Sequence, residues 1–419
     1  MKKSKYNLFI PYKENSTIIF NTLYGTLGKL EDRIIDGYNM DSLSEDELHI
    51  LYKQKIFVDD DIDELEIVNN NRIEGIMDTK RKVYRIWTTS CCNARCYYCF
   101  ELGMERQTMT ADTASKVSDY IMDQIKKGDD LRLEWFGGEP LLNTEVIEMI
   151  SDKVIKRCEE INANFSASII TNGSLVDKTI CKLFNDCRIS RCQITLDGNK
   201  DVYNEAKNYC NKKYNFDLVI NNIKLLSNND IHVSVRLNYD NKNYNSLSEL
   251  LDYLYDNFRS NKNVSSYIYP IWSSTYDNKF ITEAYADDKY IKLVDKMVKY
   301  NMTKAENVIG LKRKVRSCSA RNINSVAILP DGRFSKCSEA FNQIIGNLDK
   351  GVTDTKTYNE WTTVNLDEGC KECVYLPVCN GGCQAARYTN MEICFPTKNI
   401  HDDIVRWYIN YLDNKQGGE

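Results

Sequence analysis

The feature that most constrains the fold is a strand–helix alternation that begins near residue 83. Segments rich in β-branched and aromatic residues are typical of strands. We predict six of them, at "VYRIWTTS", "LRLEWFGG", "FSASIITNG", "RCQITLDG", "HVSVRLNY" and "SSYIYPIW". Helical periodicity predicts intervening helices near residues 112–127, 144–160, 177–187, 215–228 and 245–258. Repeated βα units of this length predict a parallel sheet, closed or partly closed as a barrel.

Unusual short motifs follow four of the predicted strands. They are the cysteine loop "TTSCCNARCYYCFELG" (88–103), "GGEP" (137–140), "TNG" (171–173) and "LDG" (196–198). In parallel α/β sheets the chemistry lies at the carboxyl ends of the strands. We therefore expect these motifs to meet at one edge of the sheet and to form the functional site. Taken alone, "GGEP" has a plain turn as its alternative interpretation.

Length and composition limit the class of protein. A chain of 419 residues predicts two or three domains, and a net charge of −5 argues against nucleic-acid binding through a basic surface. No apolar run reaches bilayer length, and the N-terminus lacks the apolar region of a signal peptide, so we expect a cytoplasmic protein without membrane attachment. In that compartment sixteen cysteines favour metal or redox chemistry over disulfides. With only three histidines, thiolates are the expected ligands.

The first cysteine group is a short loop with the spacing C-x3-C-x2-C. Its members, here called the loop set, are Cys92, Cys96 and Cys99. Three thiolates on a short loop can bind three irons of a [4Fe–4S] cluster and leave the fourth iron open to a ligand. Reactive or structural cysteines, or three of four zinc ligands, are the alternatives for this loop by itself. Cys91 breaks the spacing, and we interpret it as a bystander.

This loop resembles the signature of the radical S-adenosylmethionine (SAM) superfamily, C-x3-C-x-aromatic-C, with Tyr98 in the aromatic position. The resemblance implies a partial (β/α)6 barrel over residues 81–305 and a catalytic cluster on the loop set. It also implies SAM on the open iron, with Tyr98 near the adenine. "GGEP" resembles the family's motif for the SAM amino group, formed by Gly137, Gly138, Glu139 and Pro140.

Later strand ends also resemble elements of that family. Candidate contacts to the ribose, the methionine part of SAM or the substrate are Ser168, Thr171, Asn172, Thr195 and Asp197. Arg236 is the candidate partner of the SAM carboxylate, since a guanidinium pairs well with that group. For each of these single residues, a structural turn or a packing role is the alternative.

A second cysteine group lies near the C-terminus. Cys318 is followed by Gly332 and Cys337, after which come Cys370, Cys373, Cys379, Cys383 and Cys394. The run C-x2-C-x5-C-x3-C could by itself form a four-cysteine zinc site. The complete order resembles the SPASM domain of radical SAM peptide maturases, here residues 306–419. That resemblance implies two auxiliary [4Fe–4S] clusters. A distal set would comprise Cys370, Cys373, Cys379 and Cys394, and a proximal set would comprise Cys318, Cys337 and Cys383.

Two positions depart from the pattern of anaerobic sulfatase maturases. Those enzymes have an extra cysteine where this chain has Asn324, and an aspartate base where it has Ser338. Both departures argue against sulfatase maturation. The resemblance instead implies an open iron at the proximal set, which thioether-forming maturases use to bind a substrate thiolate; metal binding would hold that sulfur deprotonated.

Residues 1–80 predict a separate small α+β domain. "NLFIPY" and "TIIFNTL" predict a hairpin, and Ser44 with Glu47 predicts a capped helix. The pattern resembles the winged-helix precursor-recognition domain (RRE-like) of ribosomal-peptide maturases, which binds a leader peptide by strand addition. A structural cap is the alternative.

Together these features predict a radical SAM peptide maturase with three [4Fe–4S] clusters, which cleaves SAM to a 5′-deoxyadenosyl radical and installs a cysteine thioether of the sactipeptide or ranthipeptide type. The expected partners are a ribosomally made precursor peptide and a reductant such as ferredoxin or flavodoxin. Carbon–carbon or ether cross-linking, epimerisation and oxidation of a protein side chain are alternatives with the same cofactors. A non-catalytic iron–sulfur or zinc protein is the alternative of another class.

Overall fold

A computed structural model describes residues 1–240, 242–271, 288–309, 318–388, 394 and 397–416 of the protein. In these residues the fold is α/β, with a ten-stranded, largely parallel sheet at its centre. Two small sheets, of three and two strands, are formed by the N-terminal residues. The predicted α/β class is therefore confirmed.

The N-terminal region has the predicted hairpin and capped helix. Its strands are β1 (Lys2–Lys3), β2 (Asn7–Pro11), β3 (Ser16–Asn21), β4 (Leu27–Glu31) and β5 (Phe57–Val58). Its helices are α1 (Asp32–Met40), α2 (Glu45–Lys53) and α3 (Glu64–Met77). Ser44 and Glu47 form the expected capping box at the start of α2. The third strand, β4, was not predicted; it pairs with β3 and forms one edge of the antiparallel sheet.

Six parallel strands form one side of the central sheet, from the edge strand β11 to β6, each paired with the next in chain order. They are β6 (Arg81–Thr89), β7 (Asp130–Gly137), β8 (Asn164–Thr171), β9 (Ile189–Leu196), β10 (His232–Tyr239) and β11 (Val264–Pro270). All six predicted strands are confirmed, although Trp272, at the end of the last segment, lies outside the described residues. In the described part of the chain β6 does not pair with β11, so the sheet is open, as a partial barrel requires.

Helices connect these strands and cover one face of the sheet. They are α4 (Ala111–Gln124), α5 (Thr144–Ile161), α6 (Lys178–Asp186), α7 (Lys200–Lys207), α8 (Phe216–Ser227) and α9 (Tyr244–Phe258). Apolar residues such as Leu131, Leu133 and Trp135 alternate along the strands and form the buried core against the helices. Helix α7 was not predicted because it is short and polar. It is capped by the preceding Asn199, whose side chain accepts from the Val202 amide.

The C-terminal region extends the central sheet beyond β6. Its strands are β12 (Val326–Ile328), β13 (Arg333–Ser335), β14 (Ile344–Asn347) and β15 (Gly351–Val352). β12 pairs in parallel with β6, and the other three follow as antiparallel strands. The helices of this half are α10 (Lys289–Lys299), α11 (Ala305–Ile309), α12 (Thr355–Thr362), α13 (Glu368–Lys371), α14 (Leu376–Cys379), α15 (Gln384–Tyr388) and α16 (His401–Gln416).

The N-terminal region is docked against the C-terminal one. Phe20 of β3 stacks on His401 with ring centroids 5.9 Å apart, and Lys29 pairs with Asp413 at 2.7 Å. Arg406 of α16 donates to a carbonyl of the hairpin. One face of the hairpin sheet is therefore covered by α16. Within the described residues, no helix combines the length and the apolar character needed to cross a bilayer.

Candidate functional site

The cysteine loop leaves the carboxyl end of β6 and returns to α4, as predicted from its place in the sequence. Its base is closed by backbone hydrogen bonds, since the Ser90 amide donates to the Gln107 carbonyl at 2.8 Å and the Met109 amide donates to the Thr88 carbonyl at 2.9 Å. All three thiols of the loop set are free and half-buried. The loop is thus held at both ends and presents its cysteines above the edge of the sheet.

The surroundings of these thiols disfavour free thiolates. Burial raises the pKa of Cys92 and of Cys99 to about 12, and it also raises the pKa of Cys96. The Cys92 sulfur accepts hydrogen bonds from the Ala94 amide at 3.4 Å and from the Asn172 side chain at 3.9 Å. Bound metal charge would be needed to hold these cysteines deprotonated.

The donor set consists of three thiols carried by one short loop. A [4Fe–4S] cluster takes one thiolate per iron. Three thiols on one loop therefore fit such a cluster, with one iron left to another ligand.

The two glycines of "GGEP" allow the β7 end to pack against the cysteine loop. A Cβ on Gly137, which has φ +126°, would lie 2.1 Å from the Thr89 carbonyl oxygen. A Cβ on Gly138 would lie 2.4 Å from the Cys91 carbonyl oxygen. In addition, the Glu139 amide donates to that same Cys91 carbonyl at 2.8 Å. These glycines therefore set the distance between the motif and the loop.

Glu139 joins the second and third strand ends. Its carboxylate accepts from the Thr171 hydroxyl at 2.6 Å, the Asn172 amide at 2.8 Å and the Leu141 amide at 3.1 Å. Glu139 is fully buried, and burial raises its pKa. Pro140 starts a short 3-10 turn whose carbonyl accepts from the Thr88 hydroxyl. Motifs distant in sequence are thus brought into direct contact, as expected.

Asp197, from the "LDG" strand end, lies in a buried ion pair. Its carboxylate is 3.2 Å from the ammonium of Lys207, and both side chains are nearly inaccessible. The same ammonium donates to the Tyr98 hydroxyl at 2.9 Å, and the Asn238 amide group donates to Asp197 at 2.9 Å. The structure thus engages Asp197 and Tyr98 with protein partners and links them to α7.

The other candidate contacts lie on the half-exposed face of the sheet. Ser168 and Thr195 alternate with core residues along β8 and β9, and Arg236 does so on β10. The Arg236 guanidinium lies 4.3 Å from the ring centroid of Tyr269 and donates to the Asn238 side chain. This polar face is not covered by the helices that bury the opposite side.

Charged residues that belong to no sequence motif also line this face. Arg85 of β6 pairs with Glu134 of β7 at 2.7 Å and donates to the Ser338 hydroxyl at 2.7 Å. Charges at adjacent positions of two predicted strands were a signal that could have identified them. The Glu339 side chain is exposed. The surrounding protein nevertheless raises the pKa of its carboxyl group, whereas the nearby Arg236 and Arg85 lower that pKa. Glu339 therefore lies close to Arg236 and Arg85 on this face.

Glu101 lies near Glu339 and close to the loop set, since it follows Cys99 by two residues. Within the described residues, one of its carboxylate oxygens is buried without a hydrogen-bond partner. Burial, and then the nearby charges of Glu339 and Glu139, raise its pKa to about 8. No short motif in the sequence marked Glu101 or Lys207, because their environment is created by distant segments.

The C-terminal thiols fall into two neighbourhoods. Burial raises the pKa of Cys337 to about 12 and also raises that of Cys383, and in both cases the nearby Cys318 contributes. Burial likewise raises the pKa of Cys370, with smaller contributions from Cys373 and Cys394. Cys318, Cys337 and Cys383 therefore lie near one another, and Cys370 lies near Cys373 and Cys394. Glu339 lies near Cys337 and Cys383 and also near Glu101 of the cysteine loop.

The two positions that depart from the sulfatase-maturase pattern have structural partners. Ser338 is buried and accepts the hydrogen bond from Arg85. The Asn324 side chain donates to the carbonyls of Asp78 and Thr79, which lie just before β6.

The family comparison agrees with the geometry of the loop. Residues 87–254 match the model of the Radical SAM superfamily, so this part of the chain is a Radical SAM domain. Such a domain implies SAM and a [4Fe–4S] cluster as cofactors.

Two curated relatives span most of the chain. The radical SAM cyclopropyl synthase TigE of Paramaledivibacter caminithermalis is 24% identical over 442 residues, covering 91% of this chain and 89% of TigE. A cysteine-type anaerobic sulfatase-maturating enzyme of Clostridium novyi is 23% identical over 344 residues, covering 72% and 87%.

Solved structures share the fold. Native anSMEcpe with bound AdoMet and the Kp18Cys peptide has a TM-score of 0.61 at 16% identity, covering 81% of this chain and 100% of that one. Streptococcus suis SuiB bound to its precursor peptide SuiA has a TM-score of 0.54 at 16% identity, covering 95% and 99%. At these identities the likeness establishes the fold alone.

Proposed function

We propose that the protein is a radical SAM peptide maturase. The observation that carries this proposal is the half-exposed polar face of the parallel sheet. At its edge Asn172 contacts the Cys92 sulfur, and on the face Arg85 contacts Ser338, the neighbour of Cys337. A substrate held there would be close to the loop set and to the proximal set. Relatives and structural neighbours whose names refer to peptide or protein modification support a peptide substrate.

In this proposal the loop set would hold the SAM-binding cluster, and the proximal and distal sets would hold two auxiliary clusters of a SPASM domain over residues 306–419. When bound, the reduced cluster and SAM together supply a radical that removes a hydrogen atom from the substrate. The protein's part is to position the peptide and exclude water. Arg236, Ser168 and Thr195 would orient SAM or the peptide on the polar face.

The cofactor-binding residues are proposed in two roles. Glu139, with its three hydrogen bonds, would fix the strand ends around SAM, and Gly137 and Gly138 would hold them against the loop. The buried pair of Asp197 and Lys207 would fix the Tyr98 ring, which packs beside the loop set. These residues act by holding the site in one geometry.

The bond we propose is a cysteine thioether, formed at an open iron of the proximal set. The absence of a cysteine at Asn324 and of a carboxylate at Ser338 supports this choice over sulfatase maturation. Carbon–carbon bond formation is the second candidate, because the relative that covers 91% of the chain is named a cyclopropyl synthase.

We further propose that residues 1–80 form a leader-binding domain, separate from a barrel domain over residues 81–305. The edge strand β4 supports this, since in the described residues it pairs only with β3. An extended peptide can add to such an edge. A reductant such as ferredoxin or flavodoxin would deliver the electron.

The test is anaerobic reconstitution followed by incubation with SAM, dithionite and a candidate precursor peptide. We expect 5′-deoxyadenosine to form and the peptide to lose two hydrogen atoms. A thioether also makes one cysteine of the peptide unreactive to iodoacetamide, whereas a carbon–carbon bond leaves every thiol reactive. A reconstituted protein that binds no iron and leaves SAM intact would refute the proposal.

A further inference from the structure

A buried tyrosine of the N-terminal region carries a hydroxyl that forms no hydrogen bond. Tyr6 lies between β1 and β2 and is fully buried. Among the described residues, its Oη atom is inaccessible and has no hydrogen-bond partner. A buried hydroxyl without a partner costs free energy, and an acceptor bound beside it would remove that cost. Tyr6 is therefore a candidate donor to a group that binds nearby.

The carboxylate of Glu64 is close to Tyr6 but is already engaged. Burial, and then the charge of Glu64, raise the pKa of Tyr6. One Glu64 oxygen accepts from the Ser4 hydroxyl at 2.6 Å, and the other accepts from the Lys5 amide at 2.7 Å. In the part of the chain that the structure describes, Glu64 therefore holds the backbone before Tyr6 and accepts nothing from the tyrosine hydroxyl.

The residues next to Tyr6 hold the distal set on both sides of one cysteine. The Lys5 ammonium pairs with Glu372 at 3.0 Å. The Thr22 amide donates to the Tyr6 carbonyl at 3.0 Å, and the Thr22 hydroxyl donates to the Val374 carbonyl at 2.5 Å. These contacts fall on the residues immediately before and after the second cysteine of the distal set. The backbone around Tyr6 is thus fixed against that cysteine.

The Tyr6 side chain also packs toward the distal set. It belongs to an apolar cluster that contains Leu376 of α14, and Cys370 packs against the same cluster. The charge of Cys373 is among those that raise the pKa of Tyr6, as expected for a sulfur near the phenol. A metal centre on the distal set would therefore lie beside the buried hydroxyl.

We propose that the Tyr6 hydroxyl donates a hydrogen bond to a sulfur of the iron–sulfur centre held by the distal set, and that this bond raises the reduction potential of the centre. The inference rests on the proposed function, because it requires the distal cysteines to bind a cluster. A cluster becomes more negative when it accepts an electron, so a hydrogen bond to its sulfur is stronger in the reduced form. The N-terminal region, through Tyr6, is then part of the cluster site.

The test uses the full chain with the three cysteines of the loop set changed to alanine, so that the auxiliary clusters are observed alone. Two clusters correspond to about 8 irons per chain. Into this background we introduce Tyr6→Phe, which removes the hydroxyl and keeps the packing ring. The matched control is Tyr12→Phe, since the Tyr12 hydroxyl donates to Asn410, outside the cysteine sets. Each protein is titrated potentiometrically with dithionite and followed by EPR, and the signal that Cys370→Ala abolishes is assigned to the distal centre.

We expect Tyr6→Phe to keep its iron and to lower the ratio of reduced to oxidised distal cluster about tenfold at a fixed solution potential, which is about 59 mV for one electron. The proximal signal, and both signals of Tyr12→Phe, should keep the potentials of the background protein. In the iron-free protein the hydroxyl has no acceptor, so Tyr6→Phe should leave the urea midpoint of unfolding unchanged or higher. Full iron with an unchanged distal potential in Tyr6→Phe would overturn the proposal and assign the hydroxyl to a bound water.

If Tyr6→Phe instead loses the distal iron, the iron-free proteins decide the question. An iron-free Tyr6→Phe variant as stable as the iron-free background shows that the lost bond was made to the cluster and supports the proposal. An iron-free variant that is also destabilised assigns the hydroxyl a role within the protein alone and overturns the proposal. If the background protein binds no iron that Cys370→Ala removes, the proposed function fails at the distal set, and the inference fails with it before Tyr6 is tested.

Discussion

The two cysteine-bearing regions are assembled in different ways. The loop set lies on one loop between β6 and α4, closed at its base by local hydrogen bonds. The C-terminal cysteines are spread over short helices and turns, and their surroundings include Arg72 from the N-terminal region. One site is specified by a contiguous motif, whereas the other depends on long-range packing. Substitutions should therefore act locally in the first region and more widely in the second.

The largest effect is expected at the loop set. Cys92→Ala should reduce 5′-deoxyadenosine formation to background, because the cluster would lose one of its three ligands. Cys91→Ala is the matched control, since that neighbouring cysteine lies outside the spacing. The measurement is chromatography of the nucleoside after incubation with dithionite and SAM. Activity that survives Cys92→Ala, or is lost equally in Cys91→Ala, would contradict the assignment.

A substitution in the proximal set should stop peptide modification without stopping SAM cleavage. Cys318→Ala should still cleave SAM but should stop peptide modification, because the loop set is untouched and lies on another element. The control is Cys210→Ala, which removes an exposed thiol outside both regions. Mass spectrometry of the peptide and nucleoside analysis are read from the same reaction. A normal yield of modified peptide would remove the proximal set from the mechanism.

The contrast between a contiguous motif and long-range packing also explains which features the sequence could predict. The six parallel strands follow from local apolar patterns, and the meeting of the motifs follows from the rule that strand ends share an edge. The pairing of β12 with β6 could not be predicted, since "VAI" is too short to carry a pattern. The ion pair of Asp197 with Lys207 could not be predicted either, because Lys207 lies on α7, a polar helix of only eight residues. Contacts between distant segments leave no periodic signal.

A smaller effect, on the free energy of unfolding, is expected at the buried ion pair of Asp197 and Lys207. Lys207→Met should cost about 3–5 kcal/mol, because it leaves the Asp197 carboxylate buried without its cation. The double variant Asp197→Asn with Lys207→Met should recover much of that loss, since no charge remains buried. Anaerobic urea unfolding of the reconstituted protein measures both. Equal stability of the single and double variants would show that the charge is not the cause.

The smallest effect is expected at the edge strand β4, where only peptide binding should change. Because the Asn21 amide donates to the Thr26 carbonyl and ladder positions alternate, the Lys29 amide should face the free edge. Lys29→Pro would then remove a donor to an added strand without breaking the pairing of β3 with β4. We expect several-fold weaker peptide binding and unchanged SAM cleavage.

The controls separate the backbone of β4 from its side chain. Lys29→Ala also removes the ion pair with Asp413 but keeps the amide, so it should bind peptide as the native protein does. Leu30→Pro should break the pairing with β3 and destabilise the domain, since Leu30 lies opposite Thr17 at a hydrogen-bonded position. Fluorescence anisotropy with a labelled leader peptide measures the binding. If Lys29→Pro binds as tightly as Lys29→Ala, strand addition at β4 is wrong, and the N-terminal region acts instead as a structural cap that supplies Arg72 to the cysteine-rich half.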